Sequence, residues 1–339
     1  MPAKHSLPST TKKRAFVTGG DGLLGSHLVR KLLAENFDVR VFVLPGSPSP
    51  TLDDLPIECV PGDLARDAGL IKESVQGCDF VFHCAAITDL WAPPELVWKV
   101  NLDGTRTLLD AAINAGVKRF IHTGSASSFA FGTLQHPGNE QSPYPSVYRG
   151  IPYMESKHRA MGLVREAAAQ RKIETVIVAP TFMLGDLDSR PSSGELIRQF
   201  VARGIPFSAP GGRNFAYAPD VAEAMVAALT KAENGAVYIA GGHNLPYFDF
   251  FSHVAKIAGT KPPRLILPRP ILRVIGAAGT LAGKITGKKI PLDWTTAKLA
   301  TMGTYYSSAK ATADLGLKTT PIEIGIEQTI AGLRAFGHL

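Results

Sequence analysis

Apolar runs of four or five residues alternate with amphipathic stretches through the first half of the chain. Unbroken apolar runs predict buried strands, and apolar residues that recur every three or four positions predict helices. The predicted strands cover residues 14–18, 39–44, 57–60, 80–84, 118–122 and 174–178, and the predicted helices cover 23–34, 67–75, 96–115 and 153–171. This order predicts βαβ units, and therefore an α/β protein with a Rossmann-type doubly wound parallel sheet.

The pattern becomes irregular after Pro180. Residues 186–194 are rich in Ser, Pro and Gly and predict a loop, whereas residues 221–231 predict a helix and residues 236–239 a strand that returns to the sheet. The sequence thus predicts a dinucleotide-binding Rossmann domain and a smaller, mixed, helix-rich substrate-binding region. We place the first at 12–180, completed by 219–241, and the second at 181–218 and 242–339.

A glycine-rich segment directly follows the first predicted strand. Gly19, Gly22 and Gly25 are three positions apart, and Leu23 and Leu24 begin the apolar face of the next helix. Glycine permits a tight turn and lets the backbone approach a pyrophosphate, whose charge is attracted by the free N–H groups of the helix start. A strand before and an amphipathic helix after make this segment a predicted dinucleotide site.

The position that should read the adenosine ribose is ambiguous. An acidic residue at the end of the second strand favours NAD(H), and a basic one favours NADP(H). Val43 and Leu44 stand there, followed by Pro45. Because no carboxylate is present to repel a 2′-phosphate, we expect NAD(H) or NADP(H), with a lean to NADP(H).

Candidate acid–base chemistry lies at Tyr153 and Lys157, which the four-residue spacing places on one face of a helix. A phenol has a pKa near ~10, and a nearby ammonium is expected to lower it. Tyr153 could then exchange a proton with a carbonyl or alcohol oxygen. Ser125 follows the fifth predicted strand, at the sheet edge where ligands of such folds bind, and could hydrogen-bond the same oxygen.

Composition narrows the choice of partners. The net charge of +7 could suggest nucleic-acid binding, but no zinc-finger or RNP-type motif supports it, and we expect an anionic cofactor and no nucleic acid. The three cysteines fit no metal-ligand spacing, which predicts a reduced cytoplasmic protein without a metal. Residues 1–13 contain no apolar signal-peptide core and predict a mobile tail. No run reaches the roughly 18 apolar residues that span a membrane.

Taken in order, these motifs resemble those of the extended short-chain dehydrogenase/reductases. The resemblance covers nearly the whole chain and is strongest to the dihydroflavonol 4-reductase-like and 3β-hydroxysteroid dehydrogenase-like branches and to the related nucleotide-sugar epimerases. It rests on residues 18–25, 62–64, 83–86, 101–105, 123–125, 153–157, 179–181, 213–215, 219–222, 308–310 and 315–317. The chain departs from the family pattern at Gly124, where Ser is usual, at the ribose-reading position, and at residues 217–219, where His-Val-Asp is common.

The resemblance implies a role for each matched residue. Tyr153 would be the acid/base, Lys157 would bind the nicotinamide ribose and tune Tyr153, and Ser125 would polarise the substrate oxygen. The cofactor would be flanked by Asp63 and Leu64 at the adenine, by Ala85 and Ala86 along its length, and by Pro180 and Phe182 behind the nicotinamide, with Asn101 bracing the site.

The expected substrate pocket is mostly apolar and aromatic. Its candidate residues are Thr88, Trp91, Ser127, Phe129, Met183 and Arg213. Such a lining suits a hydrophobic carbonyl or alcohol. Arg213 points the other way, since an epimerase needs cations for a substrate diphosphate, although a structural role for it is equally expected.

Residues 268–289 are apolar with cationic ends. We expect this segment to cover the pocket rather than to enter an anionic membrane surface. Family members are often dimers, so a homodimer is possible here. Three functions follow from the sequence: an NAD(P)-dependent oxidoreductase for a hydrophobic ketone, aldehyde or alcohol, a nucleotide-sugar epimerase or dehydratase with retained NAD, and a non-catalytic NAD(P)-binding protein.

Overall fold

A computed structural model describes residues 12–287, 290 and 292–339 of the protein. Most of the expected mobile tail, residues 1–11, and the cationic end at Lys288 and Lys289 lie outside the described residues.

Seven parallel strands form the central sheet. They are β1 (Arg14–Thr18), β2 (Asp38–Val43), β3 (Glu58–Pro61), β4 (Phe80–His83), β5 (Arg119–Thr123), β6 (Glu174–Pro180) and β10 (Ala236–Ala240). Their order across the sheet is β10-β6-β5-β4-β1-β2-β3. The chain winds outward in both directions from β1 and β4, so a crevice opens at the carboxyl ends of these two strands, where such sheets bind ligands. The Rossmann-type fold class predicted from the sequence is confirmed.

Helices cover both faces of this sheet and give it two hydrophobic cores. The first core joins the sheet to one group of helices, α1 (Leu23–Ala34), α7 (Ala218–Lys231) and α11 (Ala309–Leu315). The second joins it to α2 (Ala68–Val75), α4 (Gly104–Asn114) and α5 (Pro152–Ala169). Burial on both faces explains why the strands read as continuous apolar runs.

Most predicted elements of this half exist, with ends shifted by a few residues. The predicted strand at 236–239 does rejoin the sheet, because β10 pairs in parallel with β6 from Ala236 opposite Val176 onward. The predicted helix at 96–115 is more complex than expected. It begins as α3 (Pro94–Trp98), widens into a π-helical turn at Lys99–Asp103, and continues as α4.

Apart from α7, β10 and α11, which belong to the central sheet and its helices, the chain after β6 forms a second, mixed layer. Its strands are β7 (Phe182–Leu184), β9 (Gly212–Tyr217), β11 (His243–Pro246) and β13 (Gly303–Thr304) in one sheet, with β8 (Phe207–Ser208) and β12 (Leu265–Ile266) as a separate pair. Its helices are α6 (Gly194–Arg203), α8 (Tyr247–Ala258), α9 (Arg269–Thr286), α10 (Trp294–Ala300) and α12 (Ile322–Ala335). Stacked rings hold a third core, in which the centroids of Phe215 and Phe250 lie 3.9 Å apart.

The boundaries expected at 180/181 and 241/242 fall between β6 and β7 and between β10 and β11. Among the described residues, no helix combines the length and the apolar character needed to cross a bilayer.

Candidate active site

The glycine-rich segment forms a tight cradle at the start of α1. Gly19 has a φ of +66°, and a Cβ on it would lie 2.6 Å from the backbone nitrogen of Ala85. A Cβ on Gly25 would lie 2.0 Å from the Gly19 carbonyl oxygen. No side chain caps the first turn of α1, so its N–H groups stay open toward the crevice. The cradle therefore has the shape and the dipole that bind a pyrophosphate.

Two cavities meet beyond this cradle. The glycine-loop cavity, of about 330 Å³, runs from Gly19, Gly22, Leu23, Leu24 and Gly25 to Ser125, Tyr153, Lys157 and Pro180. The aromatic cavity, of about 380 Å³, is lined by the side chains of Trp91, Tyr148, Phe182, Arg213 and Tyr306 among others. Seven residues line both cavities: Thr88, Ser125, Tyr153, Pro180, Thr181, Met183 and Ser192. A ligand in one cavity would thus contact a ligand in the other cavity beside Ser125 and Tyr153.

Tyr153 is the second residue of α5, after Pro152 at the helix start. Burial raises the pKa of its phenol above the ordinary value, and this outweighs the lowering by a hydrogen bond to Ser125 and by the charge of Arg213. The expectation of a lowered pKa for Tyr153 is wrong for this structure, because desolvation dominates and the net shift is upward. The phenol is therefore the form present at neutral pH, and it can donate a proton.

Lys157 lies one turn further along α5 and is only 4% exposed. Its Nζ donates a 2.5 Å hydrogen bond to the Thr123 carbonyl oxygen at the end of β5. Burial lowers the pKa of its ammonium to about 8. The ammonium faces the glycine-loop cavity, where it could hold a ribose hydroxyl and add positive charge near Tyr153.

Ser125 begins a 3-10 turn at Ala126–Ser128. Its hydroxyl shares a 2.8 Å hydrogen bond with the hydroxyl of Ser127 and accepts another from the Ser127 backbone. Gly124 replaces the family's usual serine for a steric reason, since a Cβ there would lie 2.9 Å from Ile177 and 3.3 Å from Ala179. In the segment that follows β5, Ser125 and Ser127 are thus the residues whose hydroxyls can reach the aromatic cavity.

Asn101 lies in the π-helical turn and is almost fully buried. Its Oδ1 accepts a 2.8 Å hydrogen bond from the Ile87 nitrogen, and its Nδ2 donates to the Ile87 carbonyl and to the Ser156 hydroxyl. It therefore ties the segment after β4 to α5. Asn101 lines neither cavity, so its contacts position other residues.

The other expected cofactor residues lie along the crevice to different degrees. Ala86 and Pro180 line the glycine-loop cavity, and Ala85 packs directly behind Gly19. Phe182 lines only the aromatic cavity. Asp63 and Leu64 follow β3 and line neither of the two cavities, and the Asp63 carboxylate accepts a 2.8 Å hydrogen bond from the Ala65 nitrogen.

Five of the six expected substrate residues line the aromatic cavity: Thr88, Trp91, Ser127, Met183 and Arg213. The expectation for Phe129 is wrong. Its ring is 4% exposed and packs in the core with Phe120, Met161 and Ile177, while its carbonyl accepts a hydrogen bond from the Tyr306 hydroxyl. The 3-10 turn after Ser125 carries the chain back toward the sheet, which buries this ring.

Arg213 combines the two roles left open by the sequence. Its Nε donates a 2.6 Å hydrogen bond to the Tyr247 hydroxyl, and its guanidinium carbon lies 4.8 Å from the centroid of Phe182. The same side chain lines the aromatic cavity. It is fixed by its neighbours and still presents positive charge to a ligand.

Sequence reasoning missed Arg190, which lies in the predicted loop after β7. Its guanidinium donates to the Asp21 carboxylate of the glycine-rich segment and to the hydroxyl of Ser47, just beyond β2. The loop is held by Asp188, whose carboxylate accepts hydrogen bonds from the Ser192 and Gly194 nitrogens. The available signal was a single cation in a Ser/Pro/Gly-rich loop. Residue spacing does not predict where such a loop places its side chains.

The segment at 268–289 does not cover the site as expected. Its helix, α9, contributes no side chain to either cavity and packs mainly on α10. It is α10 that reaches the aromatic cavity, through Leu299.

Comparison with known proteins identifies the family of this chain. A model of the NAD dependent epimerase/dehydratase family matches residues 15–241. A protein of Synechocystis sp. provisionally named a dihydroflavonol 4-reductase is 31% identical over 336 residues, which cover 96% of this chain and 95% of that protein. Human 3 beta-hydroxysteroid dehydrogenase type 7 is 30% identical over 284 residues, which cover 76% of this chain and 75% of the human one.

Among solved structures, the crystal structure of gox2253 has a TM-score of 0.85 at 30% identity and covers 97% of this chain and 100% of that one. These matches confirm the resemblance inferred from the motifs.

Proposed function

Because this chain belongs to the NAD dependent epimerase/dehydratase family, we propose that it is an NAD(P)-dependent oxidoreductase that interconverts a hydrophobic ketone or aldehyde and its alcohol. The observation that carries the proposal is the position of Ser125 and Tyr153 on the shared wall of the two cavities. A hydroxyl and a protonated phenol at that junction suit proton transfer to an oxygen whose carbon faces a nicotinamide.

The residues fit a dinucleotide. The cradle at Gly19 and Gly25 has no room for a Cβ, and the open start of α1 supplies N–H donors for a pyrophosphate. Lys157 lies at the far end of the same cavity, where it would hold the nicotinamide ribose, and Pro180 would back the ring. A bound nicotinamide supplies a hydride to the carbonyl carbon or accepts one from the alcohol.

The residues of this chain then move and hold the proton. Ser125 would hold the substrate oxygen by a hydrogen bond, and its own bond to Ser127 orients its hydroxyl. In the reductive direction Tyr153 gives its phenolic proton to that oxygen, and in the oxidative direction its phenolate takes the proton back. The Lys157 ammonium stabilises the phenolate that forms in between. Since burial favours the phenol, the resting site is prepared for reduction.

The aromatic cavity supports an apolar substrate. Trp91, Phe182 and Met183 offer rings and a thioether, and a cavity of this kind binds hydrophobic ligands with a few polar contacts for orientation. The human relative is named for a hydroxysteroid, and the Synechocystis relative for a dihydroflavonol. We infer a polycyclic or aromatic carbonyl compound as the class of substrate.

We further propose that NADP(H) is the preferred cofactor. The ribose-reading end of β2 carries no carboxylate, and Arg190 reaches Ser47 directly beyond it. A guanidinium at this point is suited to a 2′-phosphate, which it can bind with paired, charge-assisted hydrogen bonds. Asp21 holds Arg190 in the cavity.

Arg213 favours a second candidate, a nucleotide-sugar epimerase or dehydratase that keeps NAD bound. Its guanidinium is the feature of the aromatic cavity that suits a diphosphate. A non-catalytic NAD(P)-binding protein would have no need for Ser125 and Tyr153 at the junction of the cavities. A cytoplasmic location and a homodimer stay predictions of the sequence.

Net turnover of added cofactor distinguishes these functions. The purified protein is incubated with NADPH, or with NADH, and a panel of aromatic, steroidal and keto-ester carbonyls, while absorbance at the nicotinamide band is followed. We expect oxidation of NADPH in proportion to the alcohol formed. Tightly retained NAD released only on denaturation, with no net oxidation of added cofactor on any carbonyl, would instead support the epimerase.

A further inference from the structure

Helix α9 exposes most of its large apolar side chains to solvent and buries only Leu272 and Gly276. Ile271, Val274, Ala278, Leu281 and Ile285 follow one another at alternating steps of three and four and form one stripe. Three of them are more than half exposed: Val274 at 69%, Leu281 at 60% and Ile285 at 75%. A helix of a globular protein normally places such a stripe against the core.

The opposite face of α9 is occupied by glycines that allow close packing. A Cβ on Gly276 would lie 2.4 Å from the Cβ of Ala297 in α10, and a Cβ on Gly279 would lie 2.1 Å from the Leu292 carbonyl oxygen. The orientation of α9 is therefore fixed by this contact, and the helix cannot rotate its stripe inward. Trp294, whose backbone nitrogen donates to the Thr280 hydroxyl, adds a half-exposed indole where α9 meets α10.

The sequence in and around α9 is rich in positive charge. Between residues 250 and 313 the sequence contains ten lysines and arginines and a single carboxylate, Asp293, although the whole chain has a net charge of only +7. Arg269, Arg273 and Lys284 of α9 are exposed and have no carboxylate within ion-pair distance in the described part of the chain. Exposed cations without an acidic partner among the described residues therefore accompany the apolar stripe on the same helix.

We propose that this face, the α9 surface, docks on a lipid bilayer that contains anionic headgroups. Exposed aliphatic side chains, an interfacial tryptophan and flanking cations match the way in which amphipathic helices lie in the headgroup region. A second copy of this chain is disfavoured as the occupant, because it would bring an equally cationic surface against the first.

The α9 surface is also connected to the aromatic cavity through α10. Asp293, which caps α10, accepts a 3.3 Å hydrogen bond from the indole of Trp91, a residue of the aromatic cavity. If the proposed oxidoreductase function holds, a hydrophobic substrate could pass from lipid to this cavity without crossing water.

Flotation of the full chain with vesicles tests the proposal without cofactor or substrate, so its failure is separate from failure of the oxidoreductase function. The probes are vesicles of phosphatidylcholine alone and with 30 mol% phosphatidylglycerol (roughly the anionic share that gives a strong surface potential). We expect binding to the anionic vesicles, at least about tenfold weaker binding to the neutral ones, and loss of binding in high salt.

Two independent sets of variants locate the surface. Val274→Asp with Ile285→Asp should weaken binding at least about tenfold, because charged groups then face the acyl boundary. Arg273→Gln with Lys284→Gln should weaken it about 25-fold, at roughly fivefold for each charge. The control is Ile324→Asp, which changes an isoleucine on α12 that is 41% exposed and should bind like the wild type. Equal melting temperatures verify that all variants fold. If the aspartate variants fail to fold, the Arg273→Gln and Lys284→Gln pair still tests the proposal.

Three outcomes would overturn the proposal. The first is absence of the wild type from floating anionic vesicles. The second is flotation of both variant pairs at the wild-type level. The third is a wild-type dimer, measured by light scattering, that the Val274→Asp and Ile285→Asp pair converts to monomers, since a second copy would then cover this surface.

Discussion

The ammonium of Lys157 is held where solvation works against its charge. Burial lowers its pKa to about 8, so it is charged below pH 8 and neutral above it. The phenol of Tyr153 has a raised pKa and keeps its proton across the same range. Of the two groups, Lys157 is the one that titrates near physiological pH, and loss of its charge removes stabilisation from the forming phenolate.

Carbonyl reduction should therefore decline as pH rises through about 8. The measurement is kcat/KM between pH 6 and 10, which reports on groups of the free enzyme. Lys157→Arg keeps a charge that does not titrate in this range. Its profile should lose the decline near pH 8, whatever its absolute rate. A decline that stays at the same pH in Lys157→Arg would assign the titration to another group.

Arg190 should decide the choice of cofactor. Arg190→Ala is expected to weaken NADPH binding by at least about tenfold, since a hydrogen bond to a charged group contributes about 1.5–3 kcal/mol. NADH binding should change much less, because it has no 2′-phosphate. Dissociation constants from nicotinamide fluorescence check this, with Arg203→Ala at the exposed end of α6 as the control. Equal losses of affinity for NADPH and NADH would mean that Arg190 contacts a part of the dinucleotide that both cofactors have.

The sequence predicts which residues form the site more readily than it predicts their protonation or burial. Spacing was sufficient to find Tyr153 and Lys157, because a helix fixes which residues share a face. Spacing does not predict the direction of the pKa shift at Tyr153, since the shift depends on burial by chain segments far apart in sequence. Phe129 was misplaced for the same reason, and Arg190 was missed because a loop has no periodicity to extrapolate.

Strands β4 and β5 carry two buried histidines near their carboxyl ends, His83 and His122. His83 is satisfied by the hydroxyls of Thr18 and Thr105, at 2.7 and 2.8 Å. His122 lies beside it, with ring centroids 5.4 Å apart, and neither of its ring nitrogens has a hydrogen-bond partner in the described part of the chain. Burial lowers the pKa of His83 to about 3 and that of His122 well below its ordinary value.

These histidines should make the fold sensitive to acid. Below about pH 6.5 the unfolded chain takes up protons that the folded chain excludes, so the free energy of unfolding falls by up to about 1.4 kcal/mol per pH unit for each histidine. Between pH 6 and 4, His122→Leu should remove the contribution of His122 to the pH dependence of the free energy of unfolding. Urea unfolding at several pH values measures it, with exposed His136→Gln as the control. An unchanged slope in His122→Leu would contradict the assignment.

Elements of the parallel sheet were predictable because strands buried on both faces read as apolar runs. Their ends shifted by a few residues, since ladder hydrogen bonds rather than hydropathy decide where a strand stops. The π-helical turn at Lys99–Asp103 was not foreseen. Its apolar periodicity differs too little from that of an α-helix, and its position follows from the contacts of Asn101 with Ile87 and Ser156.

Across the whole molecule, residues far apart in sequence meet around the glycine-loop cavity. Gly22 comes from the start of α1, Tyr153 from α5, and Arg190 from the loop that follows β7. A ligand in this cavity contacts all three segments and should stabilise their common arrangement. The orientation of α9 belongs to the same scale, since the sequence shows an amphipathic helix but not which face is buried.

NADPH at a hundred times its dissociation constant should raise the free energy of unfolding by about 2.7 kcal/mol. Thermal unfolding with and without NADPH measures this as an upward shift of the melting temperature. Gly22→Val should fold normally, because a Cβ there meets its nearest neighbour at an ordinary 3.5 Å, but its side chain would enter the cavity and abolish the shift. A shift of full size in Gly22→Val would place the dinucleotide elsewhere.

The role of Tyr153 is tested most directly by comparing wild type and Tyr153→Phe on one carbonyl substrate that the wild type reduces. The change removes the phenolic proton and leaves the ring that lines both cavities. We predict a loss of kcat of about 10²- to 10⁴-fold, the usual contribution of general acid–base catalysis, with NADPH affinity changed less than about twofold, well under 1 kcal/mol. Undiminished reduction by Tyr153→Phe would contradict the account.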